Sequence, residues 1–174
     1  MLPNLILIGF MGCGKSSVGR RLAALTGHRF VDTDEMVVQS EGQAISEIFA
    51  SKGEAYFRDA EERTLGNLVG VCGIVLSTGG GAILRESNRT LLKKIGIVAW
   101  LDKDPDVLFE RASRSGKRPL LQTEDPRASF DELLNSRLPL YKEAADIRLD
   151  VGAMSIEEVA QALLDKALRH HHML

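Results

Sequence analysis

Cysteine is scarce in this chain of 174 residues: Cys13 and Cys72 stand far apart with no CxxC spacing. That excludes a disulfide framework and a cysteine-based zinc module. Charge of one sign is lacking too. Lys and Arg number 22 against 24 Asp and Glu, for a net charge of −2, which excludes a chain built mainly to bind nucleic acid but leaves room for a local basic cluster facing an anion. Long hydrophobic runs are missing. The first, Leu5-Ile6-Leu7-Ile8, falls far short of the ~20 residues a membrane-spanning helix needs. A secretory leader, with its charged start and small-residue cleavage site, is not seen either. No internal repeat, linker or low-complexity tract breaks the sequence. A single domain over residues 1–174, soluble, cytoplasmic and without a membrane partner, is therefore expected.

Five short apolar runs, Leu5–Ile8, Arg29–Val31, Ile74–Leu76, Ile97–Leu101 and Ile147–Val151, alternate with longer amphipathic stretches. The first, third and fourth are nearly continuous Ile, Val and Leu, as in strands covered on both faces. Lys15–Thr26 carries Val18, Leu22 and Leu25 at helical spacing; Val107–Phe109 and Val159–Leu168 lie in two further helical stretches. This alternation predicts an α/β fold, a parallel sheet between layers of helices joined by right-handed crossovers. Residues 41–70 read as two or three helices. Ser113–Arg127, charged and with little periodicity, reads as a loop, and His170-His171-His172 as a frayed tail rather than a metal site.

Chemistry begins directly after the first run. Gly9-Phe10-Met11-Gly12-Cys13-Gly14-Lys15-Ser16 fits G-x-x-x-x-G-K-[ST] between a buried strand and a helix. Glycines let successive N–H groups curl toward a phosphate, and the helix N-terminus adds partial positive charge. Lys15 can reach the β- and γ-phosphates, and the Ser16 hydroxyl can ligate a divalent cation. Cys13 reads as a small side chain tolerated in the loop rather than as a reactive thiol. The guanine-specifying N-K-x-D and the protein-kinase H-R-D and D-F-G are absent. What is left is a nucleotide site beside one small acceptor pocket.

Val31-Asp32-Thr33-Asp34 ends the second run, where ligands of open α/β sheets bind. One carboxylate can hold a cation through water and the other can orient or deprotonate an acceptor hydroxyl; the bland alternative is Asp34 as a helix cap with Asp32 merely solvated. Ser77-Thr78-Gly79-Gly80-Gly81 ends the third run and allows close backbone approach. Arg58 stands three residues before Glu61, a spacing that pairs them on one helix face, either as a surface ion pair or as a steadied carboxylate fork. Arg118-Pro119-Leu120-Leu121, near Arg111, Arg114 and Lys117, can supply a cation from a closing loop. Arg137 follows a helix and is a second anion-binding candidate.

Taken together and in this order, Gly9–Ser16, Phe30–Asp34, Phe57–Glu61, Ser77–Gly81, Arg118–Leu121 and Arg137 with Tyr141 resemble the shikimate kinase family, from Leu5 to Val159. The resemblance implies a three-layer αβα P-loop kinase fold with a five-stranded parallel sheet, an acceptor-binding helical segment at about 34–70 and a lid at about 113–127. It implies transfer of the γ-phosphate of ATP to the 3-hydroxyl of shikimate, with Mg2+, by a monomer that binds no nucleic acid. Carried over, Gly12, Cys13, Gly14, Lys15, Ser16, Ser17, Arg111 and Arg118 serve ATP. Ser16 and, through water, Asp32 serve the metal. Asp34, Arg58, Gly79, Gly80, Gly81 and Arg137 bind shikimate. Lys15, Asp34 and Arg118 are the catalytic set. Phe49 and Phe57 wall the ring, Arg111 stacks on adenine, and the stretch Gly152–Ile156 departs from the family where a proline is common. A gluconate or nucleoside monophosphate kinase, and a binding protein without turnover, are the rival readings.

Overall fold

Three strands of the computed structural model, which describes residues 2–114 and 123–173, are wholly or almost wholly buried because helices cover both their faces. These are β1 (Leu5–Ile8), β3 (Ile74–Ser77) and β4 (Ile97–Asp102). The other two, β2 (Arg29–Asp32) and β5 (Ile147–Asp150), are the edges of one parallel sheet ordered β2-β3-β1-β4-β5. Only the edge strands break the apolar run. In β5, Ile147 and Leu149 face inward while Arg148 and Asp150 face out. The expected five-stranded parallel sheet is thus present, with β2, β3 and β4 ending one residue later than their apolar runs.

Among the described residues, seven helices flank it: α1 (Lys15–Thr26), α2 (Thr33–Glu41), α3 (Ile45–Gly66), α4 (Glu86–Ile95), α5 (Pro105–Arg114), α6 (Pro126–Ala144) and α7 (Ile156–His172). The helical acceptor segment is α2 followed by α3, and α3 is two helices meeting at Gly53, whose backbone (φ 83°, ψ 173°) is not helical. α6 opens on an Asp125 cap with Pro126 in its first turn, where a missing N–H costs nothing. Arg137 does not follow a helix, against the expectation from sequence; it lies inside α6, which runs through Pro139. The histidine tract is likewise not a frayed tail but the last turn of α7. Arg118 and Lys117, and most of the expected lid, lie outside the described residues.

The register gathers the chemistry. Asp32 pairs with Ser77 and Leu7 with Ser77. The carboxyl ends of β1, β2 and β3 therefore deliver the Gly9–Lys15 loop, Asp32 to Asp34 and Ser77 to Gly81 to one edge of the sheet.

Candidate active site

The glycine-rich loop turns through left-handed backbone at Gly12 (φ 83°) and Gly14 (φ 97°), and Gly14 is the N-cap of α1. That cap has no side chain to satisfy the first N–H groups of the helix, which suits them to an anion. Lys15 is buried, its Nζ donating to Gly9 O at 2.7 Å and Phe10 O at 3.1 Å, with Cys13 Sγ at 3.6 Å. Cys13 is buried packing at the base of the loop, as its bland reading had it.

Ser16 Oγ donates to Asp32 Oδ2 at 3.3 Å and lies 3.4 Å from Ser77 Oγ. The other Asp32 oxygen accepts from the N–H groups of Asp34 (2.9 Å) and Glu35 (3.3 Å) and so caps α2. The cap is Asp32, not Asp34. This leaves the Asp34 carboxylate, half-buried on the first turn of α2, directed at the glycines after β3.

Each of the three glycines makes room for one charged side chain. A Cβ on Gly79 would sit 2.8 Å from Asp34 Oδ1, one on Gly80 3.4 Å from an Arg137 terminal nitrogen, and one on Gly81 2.5 Å from an Arg58 terminal nitrogen. No other residue fits the first or third position without displacing the carboxylate or the guanidinium. Around the same turn, Gly79 N–H donates to Thr33 Oγ1 at 3.1 Å, and Tyr141 Oη donates to Gly80 O at 2.6 Å. A cleft of about 330 Å³ joins both halves, lined by Gly12, Lys15, Ser16, Asp32, Asp34 and Gly79 among others.

Arg58 does not form a surface ion pair with Glu61 but a buried one. It meets Glu61 Oε2 at 3.0 Å, its side chain only 13% exposed and that of Glu61 1%. Phe57 packs beneath the guanidinium, 5.1 Å from its ring, and Phe49 lies 4.9 Å from Phe57. Arg137, buried in α6, stands over the Phe10 ring. Arg58 Nε, Arg137 Nε and Glu61 Oε1 are buried with no hydrogen-bond partner among the described residues, and a buried polar atom left so calls for an explanation. Burial pushes the Asp34 carboxyl above the usual carboxylate range, with Asp32 adding to the push and Lys15 and Arg58 opposing it. Glu61 is raised by burial as well, against the pull of Arg58. Perturbed carboxyls in a cleft mark functional sites.

Behind the loop a second pocket is lined by Cys13, Gly14, Ser17, Arg111, Met154 and Ile156, with Lys103 at its side. Arg111 donates to Gly12 O at 3.1 Å. Lys103 escaped the sequence reading, because a lone lysine after an apolar run looks like any solvated end of a strand. It is buried, and its Nζ donates to Gly152 O at 3.1 Å, anchoring the Gly152–Ile156 turn. Burial, with Arg111 nearby, lowers its pKa. Lys103→Met is expected to raise the KM for nucleotide about three- to tenfold, the worth of one buried hydrogen bond, with the acceptor KM unchanged in steady-state kinetics.

The donor set also fits a hard divalent cation. Ser16 and Asp32 offer oxygens side by side, and among the described residues no group of three or more His, Cys, Asp or Glu forms a protein cage. Mg2+ commonly takes one or two protein oxygens and completes its shell with water and phosphate. No helix among the described residues is long and apolar enough to cross a membrane.

The shikimate kinase family model matches residues 11–168. A shikimate kinase of Actinobacillus pleuropneumoniae serotype 5b is 45% identical over 93% of this chain and 94% of its own length. One from Thermodesulfovibrio yellowstonii is 44% identical over 94% of each. Among solved structures, a shikimate kinase from Acinetobacter baumannii in complex with shikimate superposes with a TM-score of 0.91 at 40% identity, over 97% of this chain and 94% of that one. A gluconokinase from Sinorhizobium meliloti, at 20% identity and a TM-score of 0.59, shares the fold alone.

Proposed function

The chain belongs to the shikimate kinase family, and from that premise we propose how its own residues phosphorylate shikimate. The reaction is transfer of the γ-phosphate of ATP to the 3-hydroxyl of shikimate, giving shikimate 3-phosphate and ADP, a step in aromatic amino-acid biosynthesis. One observation carries the assignment of residues. The three-glycine turn packs against Asp34, Arg137 and Arg58 in succession, and its first two glycines, with Asp34, line the cleft that Lys15 and Ser16 also line.

Shikimate carries one carboxylate and several hydroxyls. Arg58, held by Glu61, and Arg137, held over Phe10, supply two guanidiniums for the carboxylate. Asp34 then faces the hydroxyl to be phosphorylated, orienting it and accepting its proton as the bond to phosphorus forms. Gly79, Gly80 and Gly81 line the acceptor site and let Asp34, Arg137 and Arg58 close on it, with Phe49 and Phe57 beside the ring. Lys15 and the N–H groups of Gly12, Cys13, Gly14 and Ser16 grip the phosphates, while Ser17 and Arg111 serve the nucleoside end. Phosphoryl transfer proceeds through a loose transition state, so positioning and charge do most of the work. Ser16 and Asp32 would hold Mg2+, which when bound neutralises phosphate charge. The assignment of residues 113–127 to a lid, and of Arg118 to the transferring phosphates, is supported by sequence alone. The proposal extends to one domain acting as a monomer in the cytoplasm, with neither nucleic acid nor membrane as partner; the near-balanced charge supports the absence of a nucleic-acid partner.

An ADP-release assay against shikimate, gluconate and nucleoside monophosphates tests the substrate: turnover with shikimate is expected, and turnover with gluconate alone would overturn the reading. Arg58→Lys is expected to raise the shikimate KM by at least tenfold and leave the ATP KM in place, because an ammonium cannot reproduce the fork. An unchanged shikimate KM would return Arg58 to a structural ion pair.

A further inference from the structure

We propose that Tyr141 is a positioning residue for the acceptor site, locking the Gly80 peptide and Arg137 into one unit. This rests on the reading that Arg137 and the glycine turn bind shikimate.

Tyr141 stands one helical turn after Arg137 on α6, so both side chains leave the helix on one face. Its hydroxyl is committed to a single geometry: it donates to Gly80 O at 2.6 Å, a short bond for two neutral groups. The Arg137 guanidinium is a second hydrogen-bond neighbour of the Tyr141 hydroxyl. The ring cannot drift, because it stacks on Trp100 at 5.9 Å and is 1% exposed. Pro139 sits between Arg137 and Tyr141 and cannot donate a hydrogen bond to the preceding turn. The helix therefore has less internal support where Arg137 is mounted, and the bond from Tyr141 to the β3 turn supplies an external tie.

The effect is directional. Gly80 lies where three parts of the site meet, a Cβ there being 3.4 Å from Arg137, 3.6 Å from Met11 N and 3.7 Å from Gly9 O. Because a peptide is planar and trans, holding the Gly80 carbonyl on Tyr141 aims the Gly81 N–H the opposite way. Gly81 is the residue whose α-carbon abuts the Arg58 guanidinium. The flanks of the turn are held by Gly79 N–H on Thr33 and by the N–H groups of Ala82 and Leu84 on the carbonyls of Gly79 and Gly81, and the Tyr141 hydroxyl ties down the Gly80 carbonyl between them.

The test is Tyr141→Phe, which keeps the stack on Trp100 and removes only the tie. Assayed well below its own melting midpoint, it is expected to raise the shikimate KM about three- to tenfold while the ATP KM stays within twofold. Its double-mutant cycle with Arg137→Lys should be non-additive. Tyr141→Leu, which also loses the ring, should lower the melting midpoint further without widening the KM split in proportion. If Arg137→Lys raises the shikimate KM and Tyr141→Phe does not, the tie is only structural and this inference fails alone. A proportional rise in both KM values for Tyr141→Phe would mark a general loosening and would equally overturn it. If Arg137→Lys itself leaves the shikimate KM unchanged, the underlying site reading fails instead.

Discussion

Asp34→Asn is expected to lower kcat by about two to four orders of magnitude, the range for loss of a positioned general base, while ATP binding measured by calorimetry stays near wild type. Asparagine keeps the shape and can still accept one hydrogen bond from the hydroxyl, but it cannot take the proton. The pH profile separates this from simple misplacement. Burial first, and the neighbouring Asp32 charge next, raise the Asp34 pKa. The base form is therefore lost as pH falls through a value above the ordinary carboxylate range of about 4, and the acid limb of kcat/KM lies correspondingly high. In the asparagine variant that limb should vanish from the residual rate. Stability has the opposite sign. A carboxyl whose pKa is raised by folding favours the fold fully below its unfolded pKa, and that contribution is lost as pH rises through the folded value. At neutral pH the ionised Asp34 is a burden on the fold, so the variant should melt no lower than wild type. Near-normal turnover, or a fall in activity that tracks a fall in melting midpoint, would remove Asp34 from the chemistry.

Lys15→Met should be the other large loss. The methionine fills the buried stem of the lysine but offers no donor to the phosphates, and removing one preorganised cation or donor costs about two to three orders of magnitude. The loss is expected in kcat/KM for ATP, with the shikimate dissociation constant little changed, because Arg58 and Arg137 hold the acid independently of the loop. A melting curve should show a smaller penalty, since the carbonyls of Gly9 and Phe10 lose their partner. A variant that bound ATP and turned over normally would mean that the ammonium serves only to brace its own loop.

What could be read in the sequence, and what could not, divides along physical lines. Continuous apolar runs marked the three central strands because burial on both faces leaves no room for polar residues, and α1 runs from Lys15 to Thr26 as its spacing predicts. Local patterns also placed the phosphate loop, since its function is carried by contiguous backbone. Three features escaped because they depend on distant parts of the chain. Arg137 read as a residue that follows a helix, yet α6 runs on through Pro139 to Ala144. Asp32 and Asp34 sit two apart, and the division of labour between cap and cleft is set by where α2 starts. Lys103 gains its place only when the end of β4 meets the turn at Gly152; Tyr141 was already part of the recognised motif set, and only its partner at Gly80 needed the fold. The three glycines were legible as a site of close approach, but which side chain each admits could be seen only once α2, α3 and α6 had converged on the turn.

The central claim is that the cleft aligns the end of ATP with one particular hydroxyl of a cyclic hydroxy acid. Phosphorus and proton NMR of the product formed from ATP and shikimate tests it most directly. A single phosphomonoester on the 3-hydroxyl, formed one for one with ADP, is the predicted result. Phosphate on another hydroxyl, or ADP released at a rate indifferent to shikimate, would contradict the account.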